Sequence, residues 1–332
     1  MSRIVCVGSA LQDTYMLDCD DFEGIELDEG VSVFGKMPIG SKIDIDKVLY
    51  EVGGAGTNAA VTFARHGHET ILMGNIGRDA AGDAVMECLD RENIDSSYVE
   101  VVEGHTGCSV VLLDVRKAER TILTYRGASA GFRNLNPDDL ANIQPDWLYM
   151  TSLRGDMYTL LDFFEKAKSL GVKIMFNPGE CELSPENIDK LMGLLDLVDV
   201  LLVNKTEAAQ MVPGVVLAEL VERLANYCPM VLITDGMMGA IATDRQNIYR
   251  LGVYEQERVR DRTGAGDAFG SGFLAEWASG ASFEQALRFA AANASKVTQH
   301  YGAKAGILTG EEELHLMPIQ QTKFKAKPTA KS

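Results

Sequence analysis

No Cys-x-x-Cys pair occurs among the six cysteines, and no apolar run approaches the ~18 residues that a membrane-spanning helix requires. The first absence removes the usual zinc and dithiol chemistries. Several cysteines lie in apolar, strand-like runs, so free buried thiols in a reducing compartment are expected. Met1 to Gly8 enters an apolar strand at once, without the layout of a signal peptide, which predicts a cytoplasmic location and no membrane partner. Basic charge is also scarce, with 31 Lys and Arg against 48 Asp and Glu and a net charge of −17. A duplex nucleic-acid binder needs a basic surface, so that class is excluded, and a nucleotide would have to be held locally by backbone amides and a metal. With 46% hydrophobic and 24% charged residues over 332 positions, the chain can bury a large core as one α/β domain, or as one plus a smaller lobe.

The most informative stretch runs from Arg260 to Gly272, where a β-like run (249–259) gives way to an apolar, helix-compatible segment. Gly264, Ala265 and Gly266 sit at this strand-to-helix turn. Backbone N–H groups at a helix start lack intrahelical partners and carry the positive end of the dipole, so small residues there make an anion site. Asp267 follows in the first turn. A carboxylate beside such donors suits a reaction in which a hydroxyl loses its proton while attacking a phosphoryl group. The other reading is a simple Asp N-cap.

Earlier in the chain, Arg3 to Val7 reads as the first buried strand of a wound sheet. Asp13 follows its carboxyl end, where it is placed either to bond substrate hydroxyls or to cap a loop. Residues 14–52 carry an acidic stretch and an alternating run, Ile43 to Val52, that predict exposed strands projecting from the body. Gly30, Gly35 and Lys36 mimic a P-loop, but Met37 stands where a Ser or Thr should be and no helix pattern follows. Gly53 to Ala60 then leads into a helical segment. Gly54-x-Gly56-x-x-Ala59 is either a displaced dinucleotide fingerprint or a close backbone approach to a small polar ligand, with Asn58 offering a two-way amide.

From Thr70 the texture is regular. Thr106–Leu113 and Arg120–Tyr125 predict a hairpin. From Asp146 strands and helices alternate, which implies a parallel sheet covered by helices on both faces. Two more loops then fall at strand ends. Asn204 and Glu207, three apart at a helix start, suit magnesium through water, or else form a capping box. Thr234 and Gly236 are placed to meet nucleotide phosphates, or make an ordinary β-turn.

Taken together, Gly53-Gly54-Ala55-Gly56-x-Asn58, Asn204-x-x-Glu207 and Asp261-x-Thr263-Gly264-Ala265-Gly266-Asp267 resemble the ribokinase-like (PfkB-type) carbohydrate and nucleoside kinases, over the chain up to residue ~310. The resemblance implies a doubly wound, mostly parallel α/β sheet with helices on both faces, plus a small projecting β-sheet lid. The main body would take 1–13, 53–105 and 126–316, the lid 14–52 and 106–125, and a flexible tail 317–332. It implies Asp267 as base, the amides of Gly264, Ala265 and Gly266 as the anion hole, and Asp13, Gly53, Gly54 and Asn58 on the sugar. Asn204 and Glu207 would lie on the magnesium-phosphate side, with Thr234, Gly236 and Asn293 near the nucleotide. ATP and magnesium are the implied cofactors, and a sugar or nucleoside the acceptor. Some members also bind a monovalent cation such as potassium, for which Asp261, Thr263 and the loop Tyr301 to Ala303 are candidates, and pair lids in a homodimer. Two departures bear on substrate. Ala55 stands where ribokinases carry Lys, and the strand-end region that holds their acidic sugar ligand reads Thr151-Ser-Leu-Arg154 here. Arg154, or Arg262 inside the Asp261 to Asp267 signature, would signal a phosphorylated or acidic acceptor, or else both are ordinary solvated side chains. A non-catalytic sugar or nucleotide sensor, or an NAD-dependent oxidoreductase built on Gly54 and Gly56, are the rival readings.

Overall fold

The computed structural model describes residues 1–17, 24–26, 32–34, 40, 42–114, 118–254 and 258–324. Strand β1 (Arg3–Val7) leads through a three-residue link into β2 (Leu11–Leu17). The short pair β3 (Gly24–Glu26) and β4 (Ser32–Phe34) and then β5 (Lys47–Gly53) precede helix α1 (Ala55–Arg65). Next come β6 (Glu69–Ile76), α2 (Ala80–Arg91), β7 (Asp95–Val101), and the hairpin of β8 (Gly107–Asp114) with β9 (Glu119–Tyr125). The short α3 (Asp139–Ile143) introduces β10 (Trp147–Thr151), α4 (Met157–Ser169), β11 (Lys173–Asn177), α5 (Ile188–Leu194) and β12 (Val200–Asn204). The chain closes through α6 (Lys205–Met211), α7 (Leu217–Leu224), β13 (Met230–Thr234), β14 (Ala240–Thr243), β15 (Asn247–Leu251), α8 (Ala265–Ala278), α9 (Phe283–Val297) and β16 (Ile319–Lys323).

Ten strands form the main sheet in the order β16-β15-β14-β13-β12-β11-β10-β1-β6-β7. All pairs from β7 to β13 are parallel, and the last three strands add on antiparallel. Period-two alternation splits each central strand between two cores. Val5, Val7, Leu148, Met150, Leu201 and Val203 face α4 to α7, whereas Ile4, Cys6, Trp147, Tyr149, Val200 and Leu202 face α1, α8 and α9. Each fully buried aliphatic or aromatic side chain contributes roughly 1.5–3 kcal/mol, so helices on both faces are what these strands require. Sequence runs outward in both directions from β1, with β6 on one side and β10 on the other. The crevice at the carboxyl ends of these two central strands is therefore a switch point, where such sheets place ligands.

The second sheet, β5-β2-β8-β9, is the lid. It starts at Leu11, three residues sooner than expected, so Asp13 belongs to a lid strand and not to the body. The β2–β8 pair is parallel, which local alternation had no means of signalling. The β-like run expected over 249–259 ends at Leu251, where its ladder with β14 and β16 stops. The region expected to be a flexible tail from 317 contributes β16, which covers the otherwise unpaired edge of β15, with Ile319 and Phe324 packed against the two cores. Gly30, Gly35, Lys36 and Met37, the P-loop mimic, lie outside the described residues, as does most of the acidic stretch before them.

Candidate active site

Helix α8 starts at Gly264, whose φ of 76° is left-handed and whose missing side chain makes room for Ala303, since a Cβ would sit 2.3 Å from the Ala303 Cβ. No side chain caps the helix, so Asp267 is not an N-cap. The amides of Gly266 and Asp267 have no hydrogen-bond partner among the described residues. A Cβ added at Gly266 would meet nothing within 4 Å. Packing of the protein alone does not require glycine there, and the open space lies where an anion would approach the amides.

Two adjoining cavities meet at this turn. One, of about 350 Å³, is lined by Thr234, Gly236, Tyr254, Phe269, Ala291 and Ala294 among others, an apolar slot with a polar mouth. The other, of about 280 Å³, is lined by Arg120, Asn177, Asn204, Glu207 and the run Gly264 to Asp267. Asn204, Thr234, Arg262, Ala265 and Gly266 belong to both walls. The expected nucleotide-side residues Asn204, Thr234 and Gly236 therefore do converge, and Arg262 lies with them, away from the acceptor side.

Asn204 and Glu207 form the capping box of α6. The Asn204 amide donates to Glu207 Oε2 at 2.7 Å, and the Glu207 amide donates to Asn204 Oδ1 at 2.9 Å. Capping and metal binding are compatible, because Glu207 Oε1 is left uncommitted on the cavity wall. Burial pushes the Glu207 carboxyl above its ordinary value, opposed by its bonds to Asn204 and reinforced by Glu180, so a cation there would be welcome. Among the described residues no group of three or more His, Cys, Asp or Glu could hold a metal alone. The donor set thus fits magnesium, which keeps several waters and shares phosphate oxygens.

On the other side of Asp267, Asn58 Nδ2 donates to Asp267 Oδ2 at 2.8 Å, linking the first turns of α1 and α8. Asp13 is buried in β2, accepts a hydrogen bond from the Ser109 hydroxyl, and lies against Gly53, where a Cβ would overlap its carboxylate. Burial raises the Asp13 carboxyl, with Ser109 and Lys304 pulling it down. Gly54 has φ 101° and would clash with the Ser9 carbonyl if it bore a Cβ, while a Cβ at Gly56 would meet the Gly8 backbone at 2.8 Å. The glycine run is filled by the β1–β2 link, which leaves no room for a dinucleotide pyrophosphate and removes the fingerprint reading.

A profile described as pfkB family carbohydrate kinase matches residues 1–309. The chain belongs to the pfkB family. The ribokinase of Bacillus subtilis (strain 168) is 28% identical over 270 residues, covering 80% of this chain and 87% of that protein. The nucleoside kinase of Methanothermobacter thermautotrophicus is 28% identical over 262 residues, 78% and 82% of the two chains. Among solved structures, Arabidopsis thaliana ribokinase complexed with ribose and ATP superposes with a TM-score of 0.76 at 25% identity, covering 93% of this chain and 96% of that one. This pfkB-family chain is an enzyme of the sugar and nucleoside kinase class, and the family implies use of ATP.

Three features of the pfkB-family site differ from expectation. Asn293 does not face the nucleotide cavity. It is fully buried, its Nδ2 donating to the Ala268 carbonyl at 2.8 Å and its Oδ1 accepting from the Leu308 amide at 2.9 Å, so it pins α9 to α8. Lys304, which sequence reasoning missed, is buried beneath Asn58. Its Nζ donates to the Val52 carbonyl at 2.6 Å, to Thr57 Oγ1 at 2.9 Å and to Asn58 Oδ1. Burial lowers it to about 8, against the pull of Cys88, Asp13, Asp267 and Glu51. Arg65 braces the loop behind it, donating to the Lys304 carbonyl at 2.8 Å while paired with Glu92. The one available signal was Ala55: a lysine missing from this loop in sequence reaches it from elsewhere in the fold.

Arg120 is the third. It projects from lid strand β9 into the smaller cavity, with Nε 3.8 Å from Asp261 Oδ1 and without a hydrogen-bond partner of its own. Asp261 is fully buried and already accepts from the Thr263 amide and hydroxyl at 2.9 and 2.7 Å and from the Gly302 amide at 3.2 Å. A guanidinium at this point faces the same space as the free α8 amides, so the lid carries positive charge to where a phosphoryl group would sit.

Proposed function

We propose that the enzyme transfers the γ-phosphoryl group of ATP, with magnesium, to a hydroxymethyl group of a sugar or nucleoside by direct in-line displacement. The observation that carries this reading is the meeting of the two cavities at Ala265 and Gly266, with a carboxylate, Asp267, on the wall of the smaller one; Asp267 would receive the acceptor's proton. Thr234 and Gly236 border the nucleotide, and the Gly266 and Asp267 amides with Arg120 hold the migrating group, the Ala265 amide being turned to the Arg262 carbonyl at 3.4 Å. Asp13, Gly53 and Gly54 border the acceptor. Asn58 reaches Asp267 directly and so orients the base as well as lining the acceptor side. Magnesium, held through Glu207 and Asn204, would neutralise charge on the phosphates. A monovalent cation such as potassium would sit beside Asp261, Thr263 and the Tyr301 to Ala303 loop.

Burial pushes the Asp267 carboxyl up, while Asn58 and Lys304 pull it down; such opposed influences keep a base both ionisable and able to take a proton. The exposed apolar residues Val48, Tyr50, Leu123 and Tyr125 on the lid support pairing with the lid of a second copy. The five described cysteines are free, which supports a reducing, cytoplasmic setting. The test is ADP release from ATP and magnesium over a panel of sugar, nucleoside and sugar-phosphate acceptors. Acceptor-dependent release is expected. Binding of acceptor and nucleotide without ADP release would favour a sensor, and absorbance change with a nicotinamide would favour the oxidoreductase.

A further inference from the structure

The acceptor side of the crevice holds two arginines that the catalytic reading leaves unused. Arg126 follows β9 at the hinge of the lid. Its carbonyl packs on Gly107, which pairs with Leu11, itself paired with Gly53, so Arg126 lies level with the Asp13 and Gly53 wall. Arg154 follows β10, three residues past Thr151, whose hydroxyl donates to the Val7 carbonyl at the end of β1. The two residues thus flank the crevice from lid and body.

Arg154 adopts φ 61°, a left-handed conformation that non-glycine residues rarely take and that persists only when the surroundings enforce it. They do so here. Its amide donates to Ser152 Oγ at 3.1 Å, and Ser152 Oγ donates to Glu182 Oε2 at 2.7 Å. The amides of Gly155 and Gly179 donate to the same carboxylate at 2.7 and 2.9 Å. Glu182 is fully buried, so an entire carboxylate is committed to holding this loop.

Neither guanidinium makes a hydrogen bond or ion pair among the described residues, although the protein has 48 carboxylates to offer. Partial burial and then the charge of Arg154 lower the Arg126 pKa, with Cys181 and Glu180 weighing the other way. Both residues are exposed, so solvent screens their mutual repulsion, and a dianionic group between them would accept from both guanidinium forks. Beside Arg154 a cavity of about 670 Å³, bordered also by Lys190 and Arg133, gives such a group room; Arg133 is already paired with Asp156.

We propose that Arg126 and Arg154 form a phosphate subsite, and that the acceptor is a phosphate monoester bearing a free primary hydroxyl, such as a sugar phosphate, in place of a neutral sugar. This rests on the kinase reading. In the reaction the acceptor hydroxyl oxygen bonds to the γ-phosphorus, the bond from that phosphorus to the β–γ bridging oxygen breaks, Asp267 takes the hydroxyl proton, and ADP and a bisphosphate leave. The acceptor's own phosphate is unchanged.

The experiment compares ribose 1-phosphate and fructose 6-phosphate with ribose, fructose and gluconate in the wild type and in Arg126→Gln, Arg154→Gln and Arg154→Lys. A phosphorylated acceptor should be preferred in kcat/KM. Each Gln variant should raise its KM about ten- to a hundred-fold, the scale of a charge-assisted hydrogen bond, with Arg154→Lys intermediate. Preference for a neutral acceptor, for gluconate, or KM values indifferent to both arginines would overturn the subsite. Calorimetric binding of the same compounds separates this from the kinase reading. If no acceptor is turned over, phosphate-dependent binding lost in the Gln variants still upholds the subsite, and equal binding by wild type and variants refutes it.

Discussion

Asp267→Asn lowers kcat by about 10²–10⁴-fold, the usual contribution of a positioned general base, and leaves the KM for ATP nearly unchanged. Asn keeps the volume of the side chain and an oxygen for the 2.8 Å bond from Asn58 Nδ2, so neither α1 nor α8 has cause to move. What it loses is the ability to take a proton. The anion site is built from backbone amides at Gly266 and Asp267, which the substitution leaves in place, so nucleotide should bind as before. Steady-state kinetics with calorimetry of ADP binding separates the two effects. Near-normal turnover would remove Asp267 from the role of base, and parallel loss of nucleotide binding would show that the substitution had disturbed the helix start.

Lys304→Met is the second large effect, and it acts at one remove. Lys304 touches neither cavity; it is a positioning residue whose three bonds fix the Val52 carbonyl, Thr57 and the Asn58 amide, and Asn58 in turn fixes Asp267. Met fills the space but holds nothing, so kcat should fall about ten- to a hundred-fold, as misplacement on the order of 1 Å does. A merely structural role would also lower activity, and the pH profile distinguishes them. The charged amine faces Asp13 from β2, Glu51 from β5, Cys88 from α2 and Asp267 from α8. Its positive charge depresses the Asp267 carboxyl, so in the variant that pKa rises and the acid limb of kcat/KM moves to higher pH. In the wild type, the amine loses its proton as pH passes about 8, so kcat/KM should decline there, and the variant should lack that decline. An unshifted acid limb with the alkaline limb retained would reduce Lys304 to a packing residue.

These residues show why some of the site was legible in the sequence and some was not. The Gly264 to Asp267 turn could be read because its physics is local: small residues at a helix start free the amides, and the acid follows within one turn. Asn204 and Glu207 were equally visible, yet capping and metal binding demand the same residues at the same spacing; the structure shows the capping box, and the uncommitted Glu207 oxygen on the cavity wall leaves room for a metal beside it. Lys304 stands 246 residues from Asn58, and no periodicity links them. Arg120 reads as one charged residue of a hairpin until the lid folds over the body. Asn293 was misplaced because its position on a helix gives no direction for its side chain, which turns inward to Ala268 and Leu308. Strand β7 passed unnoticed for a related reason: it is an edge strand, Asp-Ser-Ser-Tyr-Val-Glu-Val, with little apolar alternation to reveal it. The hairpin and the alternating βα series, by contrast, followed from periodicity and turn chemistry alone.

The central claim is that one turn of small residues holds the migrating phosphoryl group while the neighbouring carboxylate receives the acceptor's proton. A crystal structure with ADP, magnesium, aluminium fluoride and an acceptor tests it most directly. The account predicts the fluoride mimic within about 2.7–3.1 Å of the Gly266 and Asp267 amides, and the acceptor hydroxyl within hydrogen-bonding reach of an Asp267 carboxylate oxygen. A mimic seated away from those amides, or an acceptor hydroxyl facing another base, would contradict it.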